Sequence, residues 1–176
     1  MQAPRADEAT RPAVLLFVYS WDLLLAILAI FGALAPFAGG LVTTSGVSVD
    51  LALPLQIMLA LSSAAYAAVL IIVASLLTRR RLWIRRMQMA TMAVAIALAL
   101  LSVLVTWLTG AGLALVSLLG ILFFVLVDLL TIVLMTEKRV VGWYVEAGRP
   151  PRYATGSLVF WGVSGCAVIV LLATLR

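Results

Sequence analysis

Long apolar runs dominate this sequence and decide what it can fold into. A helix that crosses the ~30 Å hydrocarbon core of a bilayer needs about 20 mostly apolar residues. Five runs meet this requirement, over about residues 13–38, 51–77, 87–108, 113–135 and 154–175. We therefore predict an all-α integral membrane protein with five transmembrane helices, in which a tail at 1–12 precedes a single membrane domain at 13–176.

The composition supports the same class and excludes several chemistries. The chain is 65% hydrophobic and 11% charged, whereas soluble domains are about half apolar and a quarter charged. It contains no histidine, so it cannot by itself supply imidazole to haem, zinc or an acid–base step. The single cysteine, Cys166, rules out an intrachain disulfide and a CxxC pair.

The segments between the apolar runs carry their own signals. Residues 109–112 read TGAG and predict a tight hairpin between the third and fourth helices. Residues 39–50 are rich in β-branched side chains around a Ser-Gly pair and favour a small hairpin. Residues 136–153 form a basic, aromatic segment, for which we predict an interfacial helix that continues the fourth span and stops at Pro150-Pro151.

Basic residues are strongly biased to one side of a five-span topology. The N-terminal tail and the second and fourth loops hold every basic residue except Arg176, namely Arg5, Arg11, Arg79, Arg80, Arg81, Arg85, Arg86, Lys138, Arg139, Arg149 and Arg152. By the positive-inside rule, the N-terminus is predicted to be cytoplasmic and the C-terminus outside. Nearly all of these residues are arginines, which is typical of a GC-rich bacterial genome, so we expect a bacterial inner (cytoplasmic) membrane.

Five arginines lie within residues 79–86, and this cluster is open to several interpretations. The first is orientation alone, with Trp83 as an interfacial anchor. The second is contact with anionic lipid headgroups or with an acidic partner surface, and nucleic acid is the least favoured. The candidate contact residues are Arg79, Arg80, Arg81, Trp83, Arg85 and Arg86, with Trp143 and Tyr144 as further interfacial anchors.

Two ionisable residues fall inside the apolar runs, Asp22 in the first and Asp128 in the fourth. Charged groups at membrane depth are costly, so each is a functional candidate. If the two carboxyls meet, they would share a proton, which would suit a proton-coupled carrier. Otherwise they hold helices together through neighbours such as Tyr19, Tyr66, Gln88 or Thr131, or pair with a basic group of another subunit.

Small residues at helical spacing predict where the helices pack closely. This pattern occurs in the second span as Ala60, Ala64 and Ala68, and in the fifth as Gly162 and Cys166 with Gly165 beside them. It indicates a compact bundle and does not indicate an activity.

These features favour a non-enzymatic accessory or scaffold subunit of a larger inner-membrane complex. We expect membrane lipids and other membrane subunits as partners, and no nucleic acid. No cofactor or metal is expected to bind this chain alone, although lipid, quinone or pigment could occupy its interfaces in a bioenergetic complex. The alternative is a small homo-oligomeric proton-coupled carrier or channel that uses Asp22 and Asp128.

Overall fold

A computed structural model describes residues 11–38, 41–42, 48–49, 52–110 and 113–174. In these ranges the α-helices are α1 (Val14–Leu34), α2 (Leu53–Leu76), α3 (Leu82–Leu108), α4 (Leu115–Thr136), α5 (Lys138–Trp143) and α6 (Arg152–Thr174). All except the short α5 are long and apolar enough to cross a membrane. The predicted five helices are therefore confirmed, and they are compatible with a multi-pass membrane protein.

Short elements join the long helices. A 3-10 turn at Ala35–Phe37 follows α1, where Pro36 lacks the N–H that would continue the α-helix. Strands β1 (Leu41–Val42) and β2 (Ser48–Val49) then pair antiparallel, which agrees with the small hairpin expected there. In the turn after α3, Gly110 has a φ of 69°, a conformation that costs little for glycine.

The start of α3 differs from the sequence prediction. The helix begins at Leu82 instead of about residue 87, so Trp83, Arg85 and Arg86 belong to its first turns and not to a loop. A contact with a distant segment fixes the start of α3, because the backbone N–H of Leu82 donates to the carbonyl of Glu146 (2.9 Å). A hydropathy count that treats arginine as a helix boundary misses this tertiary contact.

The segment after α4 also departs from its predicted form. A single non-helical residue, Glu137, separates α4 from α5, and the chain from Tyr144 to Pro151 is not helical. Val140 and Tyr144 are buried, whereas Val141 and Val145 are exposed, so the four apolar residues of this segment do not lie on one buried face.

The long helices pack in a regular order of neighbours. α1 packs against α2, α2 against α6, α6 against α3, and α3 against α4. Aromatic side chains connect α4 back to α1, since the ring of Trp21 contacts Phe123 (6.1 Å between centroids) and Phe124 (5.8 Å). Each of the five long helices therefore contacts two neighbours, and the contacts form a closed ring.

The main hydrophobic core lies at one end of the bundle. We call this the junction end, because the α2–α3 and α4–α6 connections meet there, and the opposite end the far end. The core cluster comprises Leu15, Val18, Val69, Val73, Leu77, Trp83, Ile84, Met87, Met135, Val140, Tyr144 and Ala154. By contrast, no residue of α4 before Asp128 is buried, and Thr106 is the single buried residue of α3 after Met92.

The small-residue prediction is wrong for α2 and partly right for α6. Ala64 and Ala68 are exposed and Ala60 is half-buried, while Ala67 and Ala74 are buried. On α6, Gly162 and Gly165 face α3; a Cβ on Gly165 would lie 2.8 Å from Cδ1 of Leu98. Cys166 is exposed and does not pack. The pattern alone does not specify which side of a helix meets its neighbour.

Candidate functional site

Two hydrogen bonds between buried side chains join three helices in the bundle interior. Gln88 Nε2 of α3 donates to Asp22 Oδ1 of α1 (2.7 Å), and the indole N–H of Trp21 donates to Asp128 Oδ1 of α4 (2.9 Å). Because Trp21 and Asp22 are consecutive in α1, the two bonds are adjacent. We call these four residues the polar layer.

The polar layer lies at one depth in the bundle. Asp22 is eight residues from the start of α1 and Asp128 eight residues from the end of α4, each about 12 Å from the junction end at 1.5 Å per residue. Asp22 and Gln88 are 0% exposed and Asp128 is 4% exposed. These carboxyls are thus enclosed by protein and do not face the surroundings of the bundle.

Aromatic rings lie at a similar depth. Tyr66 of α2 and Trp161 of α6 stack, with centroids 4.2 Å apart and planes at 12°. Apolar side chains of Leu25, Leu70 and Met92 fill the space beside Trp21. All five long helices therefore contribute a polar or aromatic side chain at this depth.

Two oxygen atoms in the polar layer, Asp22 Oδ2 and Gln88 Oε1, have no hydrogen-bond partner among the residues that the structure describes. A neutral carboxylic acid and a primary amide can form two hydrogen bonds, one in each direction, because each group has a donor and an acceptor. With Gln88 Nε2 already donating to Oδ1, a proton on Oδ2 would give the remaining amide oxygen a donor. An ionised carboxylate would leave both oxygens unsatisfied in a buried site.

A second group of contacts, at the junction end, joins the two basic connections. The guanidinium of Arg80 lies over the ring of Trp143, 4.7 Å from its centroid, and Arg80 Nε donates to the Trp143 carbonyl (3.3 Å). Arg85 Nε donates to the carbonyl of Met135 in the last turn of α4 (2.7 Å). Both arginines thus bond carbonyls at helix C-termini, where a cation is favoured.

Tyr144 makes the corresponding contact with α2. Its hydroxyl donates to the carbonyl of Leu77, the residue that caps α2 (2.9 Å), and its side chain is 1% exposed. Burial raises the pKa of Tyr144, so the phenol remains a donor at neutral pH. The backbone completes the junction, since Glu146 N–H donates to the Arg80 carbonyl (2.9 Å).

The structure separates the predicted contact residues into two groups. Arg80 and Arg85 are half-buried and bonded within the chain, whereas Arg79, Arg81 and Arg86 are exposed and make no side-chain hydrogen bond or ion pair to the described part of the chain. Trp83 and Tyr144, expected at the interface as anchors, are instead buried in the core, and Trp143 is half-buried beneath Arg80.

The sequence identified some of these partners and missed others. Gln88 was among the expected neighbours of the intramembrane acids, and its amide stands out within an apolar run. Trp21 was missed, because its ring is ordinary in such a run and its N–H partner, Asp128, is 107 residues away.

Comparison with known proteins returned no matching family model, curated protein or solved structure. Over the described ranges, no three or more Cys, Asp or Glu side chains are grouped so that they could hold a metal ion.

Proposed function

We propose that this chain is a non-enzymatic accessory or scaffold subunit of a larger complex in the bacterial inner membrane. The observation that carries the proposal is the polar layer, in which both intramembrane carboxyls are buried and bonded to other helices. Asp22 is bonded to Gln88 and Asp128 to Trp21. Carboxyls held in this way tie helices together, whereas a carrier must expose them in turn to the two sides.

The proposed orientation has the junction end in the cytoplasm. The basic residues at 79–86 and 138–152 lie at this end, and the cytoplasmic side of membrane proteins is enriched in arginine and lysine. The N-terminus is then cytoplasmic and the C-terminus outside.

Apolar surface on α4 supports a partner subunit. Its first half has no buried residue, and Val116 is 82% exposed and Phe123 56% exposed. Lipid can cover such a surface, but another membrane helix can do so as well, through van der Waals packing. Gly120 would aid close approach, because no atom lies within 4 Å of its Cβ position.

The first test is extraction of the tagged chain from its own host, at native expression, in a gentle detergent. We expect stoichiometric partner subunits that persist through a second column, with a native mass well above 18.8 kDa. A matched variant, Gly120→Leu, fills the open position on α4 and should reduce recovery of the partner while the chain still folds. A monodisperse particle that contains this chain alone would contradict the scaffold role.

A second candidate function, proton-coupled transport by a homo-oligomer, is favoured by the adjacency of the two hydrogen-bonded carboxyls. It predicts proton flux in liposomes that is lost in both Asp22→Asn and Asp128→Asn. A scaffold predicts no flux above that of empty liposomes for the wild type. Circular dichroism of the two variants would verify that any loss does not reflect unfolding.

A further inference from the structure

Three exposed arginines lie on adjoining segments at the junction end, Arg81 beside Gly148 and the other two shortly after it in sequence. The Cβ position of Gly148 lies 3.8 Å from Cδ of Arg81 and 3.4 Å from Cδ1 of Trp83, so the chain at Gly148 packs against the start of α3. Arg149 follows directly, and Arg152 begins α6 after two prolines. We call Arg81, Arg149 and Arg152 the arginine notch.

The notch arginines are available to bind a partner. Unlike Arg80 and Arg85, they are exposed and their guanidinium groups make no hydrogen bond or ion pair within the described ranges. The backbone at Arg81 is held against the segment that precedes Gly148, because residue 81 pairs with Glu146 in a parallel bridge. Arginine binds phosphate oxygens through paired N–H groups, so exposed arginines without a partner in the described ranges suit a phosphate.

An apolar strip on α6 continues from the notch toward the far end. Tyr153, Phe160 and Val163 are 61%, 52% and 66% exposed, and their spacing of seven and three residues places them on one side of the helix. Gly156 lies between Tyr153 and Phe160 and has no atom within 4 Å of its Cβ position. The strip thus has a shallow depression one turn from the arginines.

We propose that an anionic phospholipid binds here, with its phosphate at the arginine notch and an acyl chain along the α6 strip. A soluble anion would use the arginines alone, whereas the adjoining exposed apolar strip matches the second part of a lipid. An acidic protein would match the charge but not the depression at Gly156. This inference rests on the proposed membrane location and junction-end orientation, and it is independent of the scaffold role.

The test uses the full-length chain, purified and delipidated in an uncharged detergent. Phosphatidylglycerol and phosphatidylcholine with identical acyl chains are titrated in, and bound lipid is counted by native mass spectrometry. We expect phosphatidylglycerol to be retained preferentially. Each arginine near a lipid surface contributes about fivefold to binding, so Arg81→Gln/Arg149→Gln/Arg152→Gln should weaken it about 100-fold.

A matched variant separates a defined site from general attraction by positive charge. Arg79→Gln/Lys138→Gln/Arg139→Gln removes the same charge from exposed residues outside the notch, and it should retain phosphatidylglycerol nearly as well as the wild type. Equal losses in the two triple variants would overturn the site, as would equal retention of the two lipids by the wild type.

The apolar half of the proposal has its own variant. Gly156→Phe places a side chain in an open position, so the bundle should still fold, as circular dichroism would verify. The added ring should fill the depression on α6 and weaken the binding of phosphatidylglycerol. This variant also tests the proposal if the notch variant does not fold. Displacement of phosphatidylglycerol by millimolar inorganic phosphate would show a site for a free anion and overturn the lipid site. Unchanged binding by Gly156→Phe would overturn the placement of the acyl chain along the α6 strip.

Discussion

The two ends of the bundle are built differently. At the junction end, buried side chains from all six helices form one core. Side chains there also bond the carbonyls at the C-termini of α2, α4 and α5. At the far end, the residues of α3 and α4 are half-buried or exposed apart from Thr106, and Trp107 is 72% exposed.

This difference indicates where the chain relies on itself and where it relies on its surroundings. In a bilayer, lipid is as apolar as a leucine side chain, so helices associate through close packing and hydrogen bonds more than through burial. The junction end has both kinds of contact. The far halves of α3 and α4 have a single buried residue, Thr106, so we expect their position to depend on lipid or on a neighbouring subunit.

The largest expected effect comes from removing core packing beside the polar layer. Met92 is 0% exposed and packs in the cluster with Trp21 and Leu70. Met92→Ala should lower the free energy of unfolding in mixed micelles by about 2 kcal/mol. This value is near the low end for such a cavity, because the side chain in the unfolded state contacts lipid or detergent in place of water.

Leu104→Ala is the matched control for Met92→Ala, since Leu104 lies on the far half of the same helix and is 50% exposed. It should change the free energy of unfolding by less than about 0.5 kcal/mol. Similar losses in both variants would mean that the far half of α3 is packed as tightly as the near half, and the contrast between the two ends would not hold.

The next largest effect should come from the polar layer itself. Gln88→Leu leaves the Asp22 carboxyl buried without its donor and should destabilise the bundle by about 1 kcal/mol. In Asp22→Leu/Gln88→Leu both partners are apolar, so stability should return to near the wild-type value. Thr91→Val serves as a control, because the Thr91 hydroxyl donates within its own helix, to Met87. If the double variant is less stable than Gln88→Leu, Asp22 has a further partner.

Much of the helical fold could be predicted from the sequence, because the length of an apolar run is a local property. The five runs gave five helices, and Gly110 lies in the turn that follows α3. The start of α3 was missed by five residues, since it depends on the bond from Leu82 to Glu146, which no local pattern encodes.

The candidate site was only partly predictable, for a related physical reason. Asp22 and Asp128 stood out because charge is rare at membrane depth, but the rotation of each helix about its axis was not encoded by spacing. Ala64 and Ala68 therefore turned outward, and Tyr144 turned inward to reach Leu77. The roles of Arg80 and Arg85 followed from contacts with residues more than 45 positions away, whereas a count of charges treats all five arginines alike.

The smallest of these effects should distinguish arginines of the same cluster. Arg85→Met keeps the alkyl chain but removes the donor to the Met135 carbonyl. It should therefore lower the free energy of unfolding by about 0.5 kcal/mol and raise the rate of amide hydrogen exchange in the last turn of α4. Arg86→Met, an exposed neighbour with no partner in the described ranges, should change neither quantity. Both variants remove one positive charge from the same helix turn, so general electrostatics would affect them equally. Equal exchange in the two variants would therefore mean that the positive charge of the cluster, and not the bond to Met135, holds the end of α4.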